Sequence, residues 1–428
     1  MTFMLSAFGI YKYFKRNTTV APTIDATPSF PISSDTPAPA ETNVTPTGSF
    51  PQQTGSQTMG TRQPRTTNQI QAIDKTENIK IISEKPATGS MFIEKIDPGS
   101  KNKKLFVRYE ERTSGHIFEM GHNENLAKKL SNTTITRIYQ SIPNVNGQSM
   151  LIRRFDDNNN AQNIYASLTE PIVVASTTVG ENLIGKLNQS LLSPDIKEVA
   201  VSPNATKIFY LTKVGSDFIG TIEDFGGKQT GVNKKQVFNS PLSEWLIQWP
   251  QDNTLYLNTK PSANVPGFLF SQVLNKASGI TKILGDINGL TSNISPDPKY
   301  MVYSESVAGG IKTYLFNITT REKFVLPLTT LPEKCIWGGI NKTTLYCAVP
   351  TSLPTVDYPD AWYQGIISFN DEIWKIDTVA GNTELLLDKA TLDMSGGVDA
   401  INLVLSPNED YLLFTNKKDS SLWQIKIK

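Results

Sequence analysis

VAVSPNATKIFYLT (199–212), SNISPDPKYMVYSE (292–305) and LVLSPNEDYLLFTN (403–416) repeat one template: an apolar strand, a Ser-Pro-Asn/Asp turn and a second apolar strand. Weaker copies read IDPGSKNKKLFVRY (96–109), SIPNVNGQSMLIRR (141–154), IQWPQDNTLYLNT (247–259) and CIWGGINKTTLYCAV (335–349). Proline suits the turn, where its fixed φ helps and its missing N–H costs no ladder bond.

Turn marks at Pro98, Pro143, Pro203, Pro250, Pro296, Asn341 and Pro407 are spaced by 45, 60, 47, 46, 45 and 66 residues. A period near 45 with two insertions is the length of a four-stranded propeller blade, and seven marks predict seven blades. After Pro407 only YLLFTN (411–416) and SLWQIKIK (421–428) remain, so the last blade lacks its outer strand. NIKIISE (78–84) is a strand without a blade; paired with the C-terminal strand, it closes the ring and removes both exposed edges. The predicted fold is therefore all-β: a seven-bladed propeller of four-stranded antiparallel blades over 78–428, closed by 78–84. The repeats resemble the WD-repeat and TolB-like propeller superfamily, whose units carry an S-P-D-G-x-x-hydrophobic hairpin. Here Ala205, Pro298 and Glu409 replace the glycine, and no Trp-Asp dipeptide ends the blades. The resemblance implies the architecture and transfers no catalytic residue, because propellers host many functions.

Composition agrees with a folded head on a tail. The 428 residues are 38% hydrophobic and 19% charged, which excludes wholesale disorder, while 28 Gly and 26 Pro argue against long helices. A net charge of +1 gives no global field for nucleic acid. Residues 1–16 begin with the uncharged MTFMLSAFGIY and end on Lys12, Lys15 and Arg16, too short to span a membrane alone. Three readings stay open: the end of an anchor that starts upstream, a signal-like segment, or a surface-lying amphipathic helix. The first is favoured, although those three cations would then lie on the exported side, against the positive-inside bias. Half of the 52 residues at 17–68 are Pro, Thr or Ser, and few are apolar, which predicts a disordered stalk. The expected address is membrane-anchored through the N-terminus, with a monomeric propeller head outside the cytoplasm.

Two Cys and two His exclude clustered zinc sites. Cys335 and Cys347 lie six residues either side of Asn341, so a hairpin turning there sets them opposite each other, near disulfide range. A bridge implies an oxidising compartment. The longest insertion, PTSLPTVDYPDAWYQGIISFNDE (350–372), joins the second and third strands of blade six, on the rim that carries the blade-to-blade loops. Its Asp357, Tyr358, Asp360, Trp362, Tyr363 and Gln364 are side chains expected at recognition hot spots, and aromatic planes beside carboxylates also suit a sugar or peptide. The competing reading has Trp362 and Tyr363 merely cap the rim while the loop covers a blade edge.

His116 and His122 fall in SGHIFEMGHN, read as a surface turn, and the GxSxG elbow is absent. The pairs Glu223/Asp224 and Asp371/Glu372 are read as solvated strand ends, since adjacent acids on a strand face opposite sides. Trp245, Trp249, Trp337, Trp374 and Trp423 are read as inter-blade packing. No phosphate-cradling loop or dinucleotide fingerprint occurs, and no cofactor, metal or nucleic-acid partner is implied. The expected function is a binding or scaffolding propeller with no chemistry of its own, whose partner is another protein or a cell-envelope component. The alternative is an extracytoplasmic enzyme or binder acting on glycan or peptide through 350–372, with Asp357, Asp360, Asp371 or Glu372 as acids. A purely structural role in an envelope assembly is a third possibility, signalled by an exposed apolar patch.

Overall fold

The computed structural model describes residues 78–96, 102–169, 184–193, 195–225, 233–275, 279–393 and 396–428. The expected anchor (1–16), the stalk (17–68) and the turn at Pro98 lie outside them.

Seven four-stranded antiparallel sheets follow one another in chain order. Their inner strands are Ala87–Ile96, Ile138–Pro143, Ile196–Val201, Trp245–Gln251, Thr291–Ile294, Cys335–Trp337 and Ala400–Leu405 for blades one to seven. In each of the first six blades the four strands are consecutive. Blade seven takes its first three from 400–426 and its outermost from Ile79–Ser83, which pairs with Leu422–Lys426 through Ile79↔Ile425, Lys80↔Gln424 and Ile81↔Trp423.

Packing follows from this order. A blade has two faces, and each must be covered by a neighbour. The described apolar side chains accordingly sort into eight buried clusters, seven of them each drawn from two adjacent blades and the eighth lying under the blade-six insertion. Trp245 and Trp249 sit with Phe209 and Phe238 between blades three and four. Trp337 joins Val302 and Leu315 between five and six, with Trp374 packed against that cluster. Trp423 meets Ile373 and Leu387 between six and seven. Between seven and one, Ile82 packs with Val107, Tyr109, Leu413 and Leu422. Inner-strand amides add direct ties: Gln248 Nε2 donates to Ser292 O (2.9 Å) and its Oε1 accepts from Ile294 N (3.0 Å), while Asn293 Nδ2 donates to Cys335 O (2.7 Å).

The turns follow the repeat, with two offsets. Ser202 and Ser406 each close their hairpin, Oγ accepting from Lys207 N and Tyr411 N at 3.0 Å. Ala205 and Glu409 stand where the related pattern has glycine, and both adopt its left-handed backbone, at φ 47° and 54°. Glu409 does more than turn: its Oε1 accepts from Ile340 N (2.8 Å) and its Oε2 from Tyr346 OH (3.2 Å), so this turn of blade seven grips blade six. Pro143 and Pro250 are still strand residues, and the chain reverses just after them, at Asn144–Gly147 and Asp252–Asn253. The histidines also differ from expectation. Ile117–Gly121 between them is a strand, so His116 and His122 cap opposite ends of it.

The closing strand is held by Ile82, which is 6% exposed, whereas neighbouring Ile81 is 40% exposed. Ile82→Ala should lower the unfolding free energy by about 2–4 kcal/mol and Ile81→Ala by less than about 1 kcal/mol. Equal small losses in urea titrations would show that the strand is not part of the cooperative ring.

Candidate functional site

The insertion of blade six is anchored by a charged cluster, which is best built from its buried members outward. Just ahead of the blade-six inner strand, the single turn Pro332–Lys334 directs Lys334 inward. Asp371 begins the third strand of that blade, and Asp399 precedes the inner strand of blade seven. All three side chains are 0% exposed, and Lys334 Nζ lies 2.8 Å from Asp371 Oδ2 and 2.5 Å from Asp399 Oδ1. Nζ also donates to Ala400 O (3.0 Å) and sits 5.3 Å from the ring centres of both Trp362 and Phe369.

Each carboxylate has further donors. Asp371 Oδ2 accepts from Ala400 N (2.6 Å), whereas its Oδ1 has no partner. Asp399 Oδ2 accepts from Trp362 Nε1 (2.9 Å) and Phe369 N (3.0 Å). Lys417, from the second-to-third-strand loop of blade seven, donates to Trp362 O (2.5 Å) and lies 4.5 Å from its ring centre. Burial pushes the Asp371 carboxyl up to about 6 despite the Lys334 ammonium, and burial lowers Lys417.

Above this cluster the insertion folds as one short helix, Asp360–Tyr363, on an apolar pad of Ile311, Leu331, Tyr358, Trp362 and Phe369. Tyr358 is fully buried, with its hydroxyl donating to Pro354 O (2.8 Å). Two loop contacts tie the insertion to blade four: Asp360 Oδ2 accepts from Ala263 N (2.6 Å) and Asn264 Nδ2 reaches Asp357 Oδ2 (3.4 Å). Tyr363 keeps an exposed ring edge, but its hydroxyl end turns inward and donates to Glu333, and the enclosure of that end together with the carboxylate holds the phenol well above its usual range.

The six insertion residues singled out from sequence therefore divide. Tyr358 and Trp362 face inward and fasten the insertion, and Asp360 is spent on the Ala263 N–H. Asp357, Tyr363 and Gln364 are exposed, as is Ile366. Of the acids read as solvated strand ends, Asp371 and Glu223 are instead buried. Glu223 accepts from Tyr210 OH (2.9 Å), while Asp224 keeps its exposed pairing with Lys207 (2.7 Å). Glu372 accepts from Trp374 Nε1 (3.2 Å). Cys335 and Cys347 are directly opposed in register and joined by a disulfide, buried at the interface of blades five and six. Among the described residues no group of three or more His, Cys, Asp or Glu is arranged to hold a metal.

Sequence reading missed Lys334, Asp399 and Lys417. A usable signal existed for one of them: Asp399 interrupts the apolar run VDAINLVL at a strand start, a position where an acid needs a buried partner.

A second buried acid stands apart from the insertion. Glu110, on the second strand of blade one, is 1% exposed, and neither of its oxygens has a hydrogen-bond partner. Ser141 lies beside it without closing a bond of normal geometry, and lines a cavity of about 450 Å³ between the inner strands of blades seven, one and two. Burial raises Glu110 to about 8. A carboxyl whose folded pKa is raised contributes stability that is complete below its unfolded pKa near 4.5 and is lost as pH climbs through about 8. Glu110→Gln should remove that slope, so that wild type loses on the order of a few kcal/mol relative to the variant between pH 5 and 8.5. Parallel stability profiles for the two proteins would contradict this assignment.

No protein-family profile matches the chain, and no curated protein matches it in sequence. Solved structures resemble it in fold. An oligogalacturonate lyase from Vibrio parahaemolyticus is 10% identical, with 80% of this chain and 99% of that chain covered at a TM-score of 0.46. The tricorn protease is 9% identical over 83% of this chain and 34% of that chain, at 0.49. TolB from Acinetobacter baumannii is 10% identical over 79% and 80%, at 0.38. At such identities the likeness brings no residue and no activity to this chain, which is, in its architecture, a seven-bladed β-propeller.

Proposed function

We propose that the chain is a binding or scaffolding propeller, displayed outside the cytoplasm on its Pro/Thr-rich stalk, and that it engages another protein through the blade-six insertion. The observation that carries this reading is the division of the insertion itself. Its buried half is fastened by Trp362, Tyr358 and the Lys334 cluster, and its outer half presents Asp357, Tyr363, Gln364 and Ile366 beside exposed Val265. A rigidly held aromatic and apolar surface rimmed by polar groups is what a protein partner recognises at low entropic cost. The glycan- or peptide-cleaving alternative needs free acids at the surface. Asp371 is sealed against Lys334, and Asp360 and Glu372 already accept hydrogen bonds, which leaves Asp357 as the one exposed acid of the four, whereas paired-carboxylate hydrolysis needs two. The buried Cys335–Cys347 disulfide supports an oxidising compartment.

A photo-crosslinking amino acid at Gln364 or Ile366, in intact cells, should capture one discrete protein. The same group at Ile340, in the hairpin turn at the opposite end of blade six, should not. Identical capture from both places, or turnover of a glycan or peptide by the purified head that falls with Asp357→Asn, would count against the proposal.

A further inference from the structure

Lys334 and Asp399 form a buried ion pair whose amine lies against the carboxyl group it would have to attack in order to condense. The amine and one carboxylate oxygen are 2.5 Å apart in a site that is 0% exposed, so bulk water is absent where it would compete. The other oxygen, Asp399 Oδ2, already receives two N–H donors, from Trp362 Nε1 and Phe369 N. Donors aimed there also face the negative charge that would develop if an amine added to the carboxyl carbon. Asp371 completes the arrangement, with Oδ2 at 2.8 Å from the same amine and Oδ1 unpartnered.

We propose that Lys334 and Asp399 form an intramolecular isopeptide bond that cross-links blade six to blade seven, with Asp371 as the proton carrier. The lysine Nζ to Asp399 Cγ bond forms and the Cγ to Oδ1 bond breaks. Of the three protons on the ammonium, one remains on the new amide and two leave with Oδ1 as water, so an ion pair of zero net charge becomes a neutral amide. Asp371 takes one of the departing protons from nitrogen and returns it to the leaving oxygen. Burial lifts this carboxyl to about 6, which suits it to hold a proton briefly near neutrality. No oxidant, metal or second reactant is needed.

Two physical arguments favour condensation, the first through its rate and the second through its product. Amide formation is opposed in water, but groups fixed in contact react with effective molarities of about 10⁵–10⁸ M, far above the concentration of bulk water. Burying an ammonium with two carboxylates also carries a desolvation cost; condensation removes one charge of each sign, and Asp371, left without its counter-ion, is neutralised by taking up a proton from solvent. Trp362 and Phe369, which close over the amine, keep water from reversing the reaction.

The test is the intact mass of the full wild-type chain, unfolded and with its disulfide reduced. The proposal requires a chain lighter than its sequence by one water, a branched peptide joining the Lys334 and Asp399 segments, and full mass for Lys334→Arg. Folded wild-type protein at full mass, with both peptides linear, overturns it. Asp371→Asn, checked for folding by its intact Cys335–Cys347 bridge, should remain uncondensed or condense at least about tenfold more slowly. Condensation at the wild-type rate would remove Asp371 from the mechanism.

Discussion

Closure of the ring is the constraint on which the rest depends. A blade of four short strands has two apolar faces and little interior, so it is stable only between two neighbours. Seven interfaces, each with its own buried cluster, are satisfied when the first strand of the head, Ile79–Ser83, becomes the outer strand of the last blade. That pairing covers the edge of Leu422–Lys426 and fixes the two ends of the head beside each other.

A closed ring leaves the loops free to vary, and the blade-six insertion shows what holding a long loop requires. Its apolar underside is laid on Ile311, Leu331 and Phe369, and its one short helix is pinned by Trp362 to Asp399. The charges beneath it are few but fully enclosed, with Lys334 bridging two acids from two blades. One lysine thus ties the seam between blades six and seven to the loop above it. The outward residues inherit that rigidity, which is the physical basis for reading the insertion as a recognition surface.

The architecture was legible because the repeat is written in residues whose chemistry is local. Ser202, Ser295 and Ser406 each precede a proline, and each serine organises its own turn. The closing strand could be read from a count of apolar runs at the two ends, and the opposition of Cys335 to Cys347 from their symmetry about Asn341. What was not legible depends on contacts distant in sequence. Asp371 looked like a solvated strand end because nothing near it reveals Lys334, some forty residues earlier, or Asp399 across the blade seam. Trp362 and Tyr363 are adjacent aromatics in one loop, yet one is buried against Asp399 and the other exposed, a difference set by the direction of a single helical turn. Pro143 and Pro250 misplace two turns by a few residues, because proline fits the end of an inner strand as well as the turn itself.

The most direct test of closure is amide hydrogen exchange along Ile79–Ser83. If the ring is completed by this strand, its ladder amides should exchange only with global unfolding, as slowly as those of Tyr411–Asn416 in the same blade. Exchange at the rate of an open chain, while the remainder of blade seven stays protected, would show that the ring does not rely on its N-terminal strand and would contradict the account at its base.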